Sequence, residues 1–282
     1  MKLDTKPKGY RVLSLEQETP AQSKETDAEI IERLRERFEI LDDMTRAVKK
    51  GAVRAMIVSG APGVGKSFGV EKVLGKHGLM ADIANDEKLK KYEIVKGAMS
   101  AIGLYSKLYE FSAEKNILVF DDCDSVLLDD LSLNILKAAL DTSKKRTISW
   151  NTDSRLLRSE GVPNSFEFKG GAIFITNINF ANIKSKKLQD HLAALESRCH
   201  YIDLTIHTER EKMLRIKQIV GDGMLAEYDF SEEQTTSIIE FIDANKRRLR
   251  ELSLRTVLKT ADLMRSFPGD KWQRVAQISL MK

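Results

Sequence analysis

The chain has 282 residues, 42% hydrophobic and 31% charged, a composition that supplies a sizeable core and excludes wholesale disorder. Its formal net charge of +4 is too small to establish binding to an acidic partner by itself, and its two cysteines, Cys123 and Cys199, lack the spacing of a disulfide framework or a metal cluster. No apolar run approaches the ~18 residues of a membrane span, and the start Met1-Lys2-Leu3-Asp4 has no signal-peptide core, so a cytoplasmic protein with no membrane partner is expected.

Residues 1–26, with Pro7, Gly9 and Pro20 and no apolar periodicity, read as a loose N-terminal arm. From Asp27, Ile30, Ile31, Leu34, Phe38, Leu41 and Met44 recur at helical spacing between charges, which predicts an amphipathic helix. Residues 52–59 read as a buried strand that ends on a glycine-rich turn. A helix over 68–76 comes next, then a strand at 92–95 and a helix over 101–111. Residues 117–120 form a second strongly apolar strand, ending in acids. The pattern is helical over 131–140, while 146–168, with Trp150, Gly161 and Pro163, suits a hairpin or long loop.

A third apolar strand at 172–176 precedes a helix over 188–197 and a short strand at 201–204; strands alternating with helices imply a parallel sheet. Beyond Thr205 only helices are expected, over 209–220, 232–245 and 252–267, with Ser231 capping the second. The expected architecture is an α/β parallel-sheet domain over 27–205 with an all-helical C-terminal domain over 206–282.

Between the first strand and its helix lies Gly60-Ala61-Pro62-Gly63-Val64-Gly65-Lys66-Ser67, which matches the Walker A pattern in the context that its mechanism requires. Glycines let such a loop curl so that backbone N–H groups converge on phosphate oxygens, aided by the positive end of the next helix. Lys66 is expected to neutralise the β and γ phosphates and Ser67 to ligate Mg2+. Residues from Gly60 to Phe68 form the expected ATP-contacting segment. Ile117-Leu118-Val119-Phe120-Asp121-Asp122 has the form of a Walker B strand, whose carboxylate Asp121 is expected at the metal. Cys123 sits among acids that raise a thiol pKa, and reads as a spacer.

The Walker A segment, the Asp121-Asp122-Cys123-Asp124 run and the segments C-terminal to it resemble the AAA+ superfamily over roughly residues 30–267, which implies a P-loop NTPase domain over 27–205 and a helical lid over 206–282. The resemblance implies that Asp122, where that family normally has Glu, polarises the attacking water. Phe174-Ile175-Thr176-Asn177 resembles the sensor 1 strand, which gives Asn177 the task of orienting that water. Glu196-Ser197-Arg198-Cys199 is similar to the Ser-Arg-Cys segment of clamp loaders and helicase loaders, which implies that Arg198 is a finger reaching a neighbouring subunit's ATP. Leu252-Ser253-Leu254-Arg255 resembles the sensor 2 helix, with Arg255 contacting phosphates and Arg250 as a rival. Self-assembly into a ring or spiral, a hexamer by analogy, is implied by the same resemblance.

Lys144, Lys145, Arg146, Arg155 and Arg158 surround Trp150, a pattern that suits either a nucleic-acid strand or an exposed subunit contact. Lys96-Gly97-Ala98-Met99 falls where the family's threading machines place pore loops, but lacks their aromatic residue. The leading expectation is a Mg-ATP hydrolase that remodels or loads a nucleic-acid or nucleoprotein partner. A nucleotide-gated adaptor with slow turnover and a P-loop kinase are the rival readings.

Overall fold

The computed structural model describes residues 25–75 and 91–282. The expected N-terminal arm lies outside them, apart from Glu25 and Thr26. Helix α1, Asp27–Lys49, starts at a capping box in which Thr26 and Glu29 each bond the other's backbone N–H. Its apolar stripe buries Ile30, Leu34, Leu41 and Val48, the face that the periodicity anticipates. Strand β1, Ala55–Ser59, comes next, then α2, Lys66–Leu74.

After these come β2 (Tyr92–Lys96), α3 (Ala101–Glu110), β3 (Ile117–Asp121), the short α4 (Ser125–Leu128) and α5 (Asp130–Ala139). The stretch with mixed signals forms a hairpin, β4 (Thr147–Ser149) with β5 (Ser165–Glu167), enclosing α6 (Arg155–Ser159). Beyond it lie β6 (Gly171–Thr176), α7 (Lys186–Glu196) and β7 (His200–Asp203). Helices α8 (Glu209–Gly221), α9 (Glu232–Asn245), α10 (Leu254–Ser266) and α11 (Lys271–Leu280) complete the chain.

Five strands form one parallel sheet in the order β2-β3-β6-β1-β7. Successive side chains point to opposite faces of a strand, and the central strands are apolar on both. Met56 and Val58, Ile117 and Val119, Ile173 and Ile175 pack on the α1/α2 side. Ala55 and Ile57, Leu118 and Phe120, Ala172 and Phe174 pack on the side of α3, α5 and α7, where the Phe120 and Phe174 rings stack 5.0 Å apart. Burial on both faces explains why these segments read as continuous apolar runs.

The C-terminal helices have a core of their own, built on Met213, Ile216, Ile238, Ile242, Val257 and Trp272. It is closed by a bridge between Leu249 and Met281. Helix α11 was not among the expected elements.

Glu211 ties this helical part to α1. It caps α8 by accepting from the Thr208 N–H at 2.9 Å, and it also accepts from Arg33 at 2.8 Å. Burial pushes its carboxyl up, but hydrogen bonds from Arg33 and Thr208 outweigh that and hold the pKa at about 2. A depressed carboxylate pKa contributes stability above the unfolded value, and that contribution is lost as pH falls through the folded one. Glu211→Gln is therefore expected to be less stable than the parent by on the order of 3 kcal/mol near neutral pH. In urea titrations the gap should close as pH falls from 4.5 towards 2; a gap independent of pH would refute the ion-pair account.

Candidate functional site

Parallel register brings three loops to one edge of the sheet. Ser59 at the end of β1 pairs with Thr176 at the end of β6, and Asp121 at the end of β3 pairs with Ile175. The loop at 60–67 leaves β1 there. Gly63 and Gly65 hold left-handed backbone, φ 71° and 104°, which residues with a Cβ rarely adopt.

Lys66 opens α2 and is 5% exposed. Its Nζ donates to Gly60 O at 2.6 Å, to Ala61 O at 3.0 Å and to Asn177 Oδ1 at 2.7 Å. Burial lowers the ammonium's pKa; the charge of Asp122 works against that and the charge of Arg255 adds to it. Arg255, exposed on α10, is thus brought into the field of the same site.

Ser67 Oγ donates to Asp121 Oδ1 at 2.8 Å, and the other Asp121 oxygen lies 3.3 Å from Lys96 Nζ. Asp122 turns through φ 51°, a left-handed position that Asp tolerates better than most side chains. Asn177 Nδ2 donates to Asp122 Oδ1 at 2.7 Å. Asn177 therefore links the lysine of one loop to the acid of another. Thr176 Oγ1 donates to Asp124 at 2.7 Å while accepting from the Ile178 N–H at 3.0 Å, which fixes the end of β6.

The hydroxyl–carboxylate pair of Ser67 and Asp121 presents the oxygen ligands that a hard divalent cation takes. The N-terminus of α2, which has no side-chain cap, suits a phosphate. The residues present thus fit a magnesium nucleotide. Pro62 and Val64 complete the loop, and Phe68 is 71% exposed just beyond it.

Arg198 stands apart from this edge. It comes after α7, donates to Ala194 O, and acts electrostatically on Asp141 rather than on Lys66. Arg250 is occupied elsewhere, its Nε donating to Met281 O at 2.8 Å.

In the aromatic-basic segment Lys144, Lys145, Arg155 and Arg158 are exposed, whereas Arg146 is turned inward. Arg146 is buried, donates to Ala139 O and Gly170 O, each at 3.1 Å, and lies over the Phe168 ring; burial pushes its pKa down to about 10. Trp150 packs on Tyr105 at 5.6 Å. Arg146 is thus an interior cation, and half-buried Trp150 packs against the core. Burial also raises the thiol pKa of both cysteines, Cys199 to about 12, so neither is a ready nucleophile.

Two contributors were not foreseen. Lys96 ends β2 opposite Asp121, and the sheet register that places it is invisible in a single sequence. The helical part also touches the loop: Leu254 N–H donates to Gly63 O at 3.0 Å. A Cβ on Gly63 would stand 2.7 Å from Ser253 Cβ.

No protein-family model matches the chain. It is 36% identical over 256 residues to the uncharacterized 36.7 kDa protein of the nrdC-mobD intergenic region in Enterobacteria phage T4, covering 90% of this chain and 76% of that one. Among solved structures, S. cerevisiae Hsp104 in complex with casein is similar at TM-score 0.45 and 18% identity, over 84% of this chain and 39% of that one. NtrX of Brucella abortus in complex with ATP is similar at TM-score 0.45 and 12% identity, over 88% and 52%. The chain spans less than two thirds of either solved structure. Its parallel sheet, the glycine-rich loop after β1, the acid after β3 and the helical C-terminal part make it an α/β P-loop fold. Among the described residues, no helix is long and apolar enough to cross a membrane.

The Gly63–Ser253 contact is directly testable. Gly63→Ala is expected to cost about 1–3 kcal/mol in urea unfolding, through overpacking against Ser253 and a disfavoured φ. Ser253→Gly in that background should restore the packing share alone. Full additivity of the two changes would show that the side chains do not meet.

Proposed function

We propose that this chain, which belongs to the family of the phage T4 36.7 kDa protein, is a Mg-ATP hydrolase of the AAA+ type that works at subunit interfaces to remodel or load a nucleic-acid or nucleoprotein partner. The observation that carries the hydrolase reading is the polar chain Lys66–Asn177–Asp122, each link 2.7 Å long, beside the Ser67–Asp121 pair at 2.8 Å.

On this reading the loop amides from Gly60 to Phe68 seat the triphosphate. Lys66 exchanges its backbone carbonyl partners for β and γ phosphate oxygens. Ser67 and Asp121 hold Mg2+, which when bound neutralises charge developing between the phosphates. Asp122 accepts a proton from the attacking water, and Asn177 orients that water between the acid and the phosphate. Arg255 approaches from the helical part, residues 206–282, which acts as a lid over the domain at 27–205. Arg198, placed away from its own loop, serves the site of a neighbouring copy. A ring or spiral supplies such a neighbour.

One specific feature favours a slower, switch-like variant. Asp122 has a shorter reach than Glu, and its carboxylate is already held by Asn177, so bound nucleotide would set a conformation and turn over rarely.

Lys66→Ala should abolish heat of Mg-ATP binding in calorimetry. Asp122→Asn should keep that heat while lowering steady-state turnover by about 10²–10⁴-fold; undiminished turnover would remove the acid from its assigned task. Arg198→Ala should lose about 10³–10⁵-fold in rate. Mixing it with Lys66→Ala should recover part of the activity, because each supplies the half-site that the other lacks. Absence of recovery at every mixing ratio would exclude a shared site.

A further inference from the structure

A dense concentration of positive charge lies at the other end of the sheet. A cavity of about 560 Å³ is lined by Arg46, Lys49, Lys50, Lys72 and Lys115, with Asp42 the one acid among its lining residues. Five cations against one carboxylate leave +4 at this spot, the formal net charge of the entire chain. Three parts of the fold supply them: the end of α1, the last turn of α2, and the turn before β3. Because α1 ends just before β1 begins, and α2 runs back from the phosphate loop, the cavity sits by the N-terminal ends of the strands. It is separate from the Lys66 edge.

Helix C-termini attract cations, and both α1 and α2 end here. Each contributes about −0.5 charge, so the two together offset only about one of the four net positive charges. Asp43, which pairs with Arg46 from outside the lining, offsets about one more. Asp42 is 3.9 Å from both Arg46 and Lys72, and Arg46 also meets Asp43 at 2.6 Å. Neither Lys49 nor Lys50 forms an ion pair among the described residues. Lys115 occupies a left-handed backbone position, φ 67°, which a side chain other than Gly, Asn or Asp adopts at a cost.

We infer that this cavity binds the phosphodiester backbone of a nucleic-acid strand. Four of its five cations are lysines, mobile point charges that suit phosphates at variable spacing better than the planar two-point recognition of a carboxylate. The volume is that of a site for a ligand with several groups rather than for a single ion. The lining presents no aromatic surface for bases, so binding tracks the backbone and is insensitive to sequence. Such a surface serves the nucleic-acid half of the function proposed above, and rests on that reading.

The test is fluorescence anisotropy of a labelled oligothymidylate over a salt series, with the full chain and Lys49→Gln/Lys50→Gln/Lys72→Gln. The parent should bind with log K falling linearly in log salt, and the triple variant's slope should be shallower by about 2, at about 0.7 per lost phosphate contact on a single strand. The single changes Lys50→Gln and Lys72→Gln, both at exposed or half-exposed positions, should each remove about 0.7, which guards against a misfolded triple variant. An unchanged slope in all three variants overturns the assignment. So does a parent chain that binds inorganic tripolyphosphate at these lysines but not the oligonucleotide. Calorimetry with Mg-ATP on the same samples keeps the two readings apart: oligonucleotide binding without nucleotide heat sinks only the hydrolase, and the reverse sinks only this cavity.

Discussion

A buried ammonium organises the site. Removing a charged amine from water is expensive unless its protons find acceptors, and Lys66 finds three, in Gly60 O, Ala61 O and Asn177 Oδ1. The two carbonyls turn inward only because the loop curls through Gly63 and Gly65. The third acceptor is present only because β6 lies beside β1 in a register that places Thr176 against Ser59, with Asn177 one residue further on. Asn177 then passes the constraint to Asp122. Sheet order, register and loop conformation are therefore all needed to keep one side chain satisfied, and the same arrangement puts its charge where phosphates would be bound.

The helical part is joined to that loop by more than proximity. Leu254 N–H bonds Gly63 O, while the Arg215 guanidinium lies 3.6 Å over the ring of Phe38, whose edge would be 3.7 Å from a Cβ on Gly65. With Glu211 bonded to Arg33, α8 and α10 are both anchored to elements that touch the phosphate loop. The junction carries an internal cost, since Ser253 Oγ and Glu251 Oε1 are buried without hydrogen-bond partners, each worth about 1–3 kcal/mol.

Legibility from sequence divides along physical lines. The apolar strands were readable because burial on both faces makes them continuous runs, and the phosphate loop because its glycines, lysine and serine are locally contiguous. Helix α9 was readable to the residue, since Ser231 caps it and Gln234 closes the box. What escaped depends on contacts between distant residues. Lys96 acquires its place from pairing with β3, and Gly63 meets Ser253 across most of the chain's length. Arg146 and Trp150 looked like a surface pair by composition; cation and ring are instead spent inside, on carbonyls and on Tyr105, because the hairpin folds back on α3. Helix α11, whose buried face holds Trp272 and Ala276, lies beyond the helices expected from the sequence.

The two ends of the sheet carry opposite electrostatics. At the C-terminal ends, Asp121, Asp122, Asp124 and Asp203 gather within one loop layer, with Lys66 and Arg255 as the cations set against them. At the N-terminal ends Arg46, Lys49, Lys50, Lys72 and Lys115 outnumber the acids Asp42 and Asp43. On the functions proposed above, a triphosphate would be held under strict geometric conditions at one edge and a backbone of phosphates under loose ones at the other. Chemistry that must position a single reacting group belongs with the first arrangement, and holding a long partner while that chemistry proceeds belongs with the second.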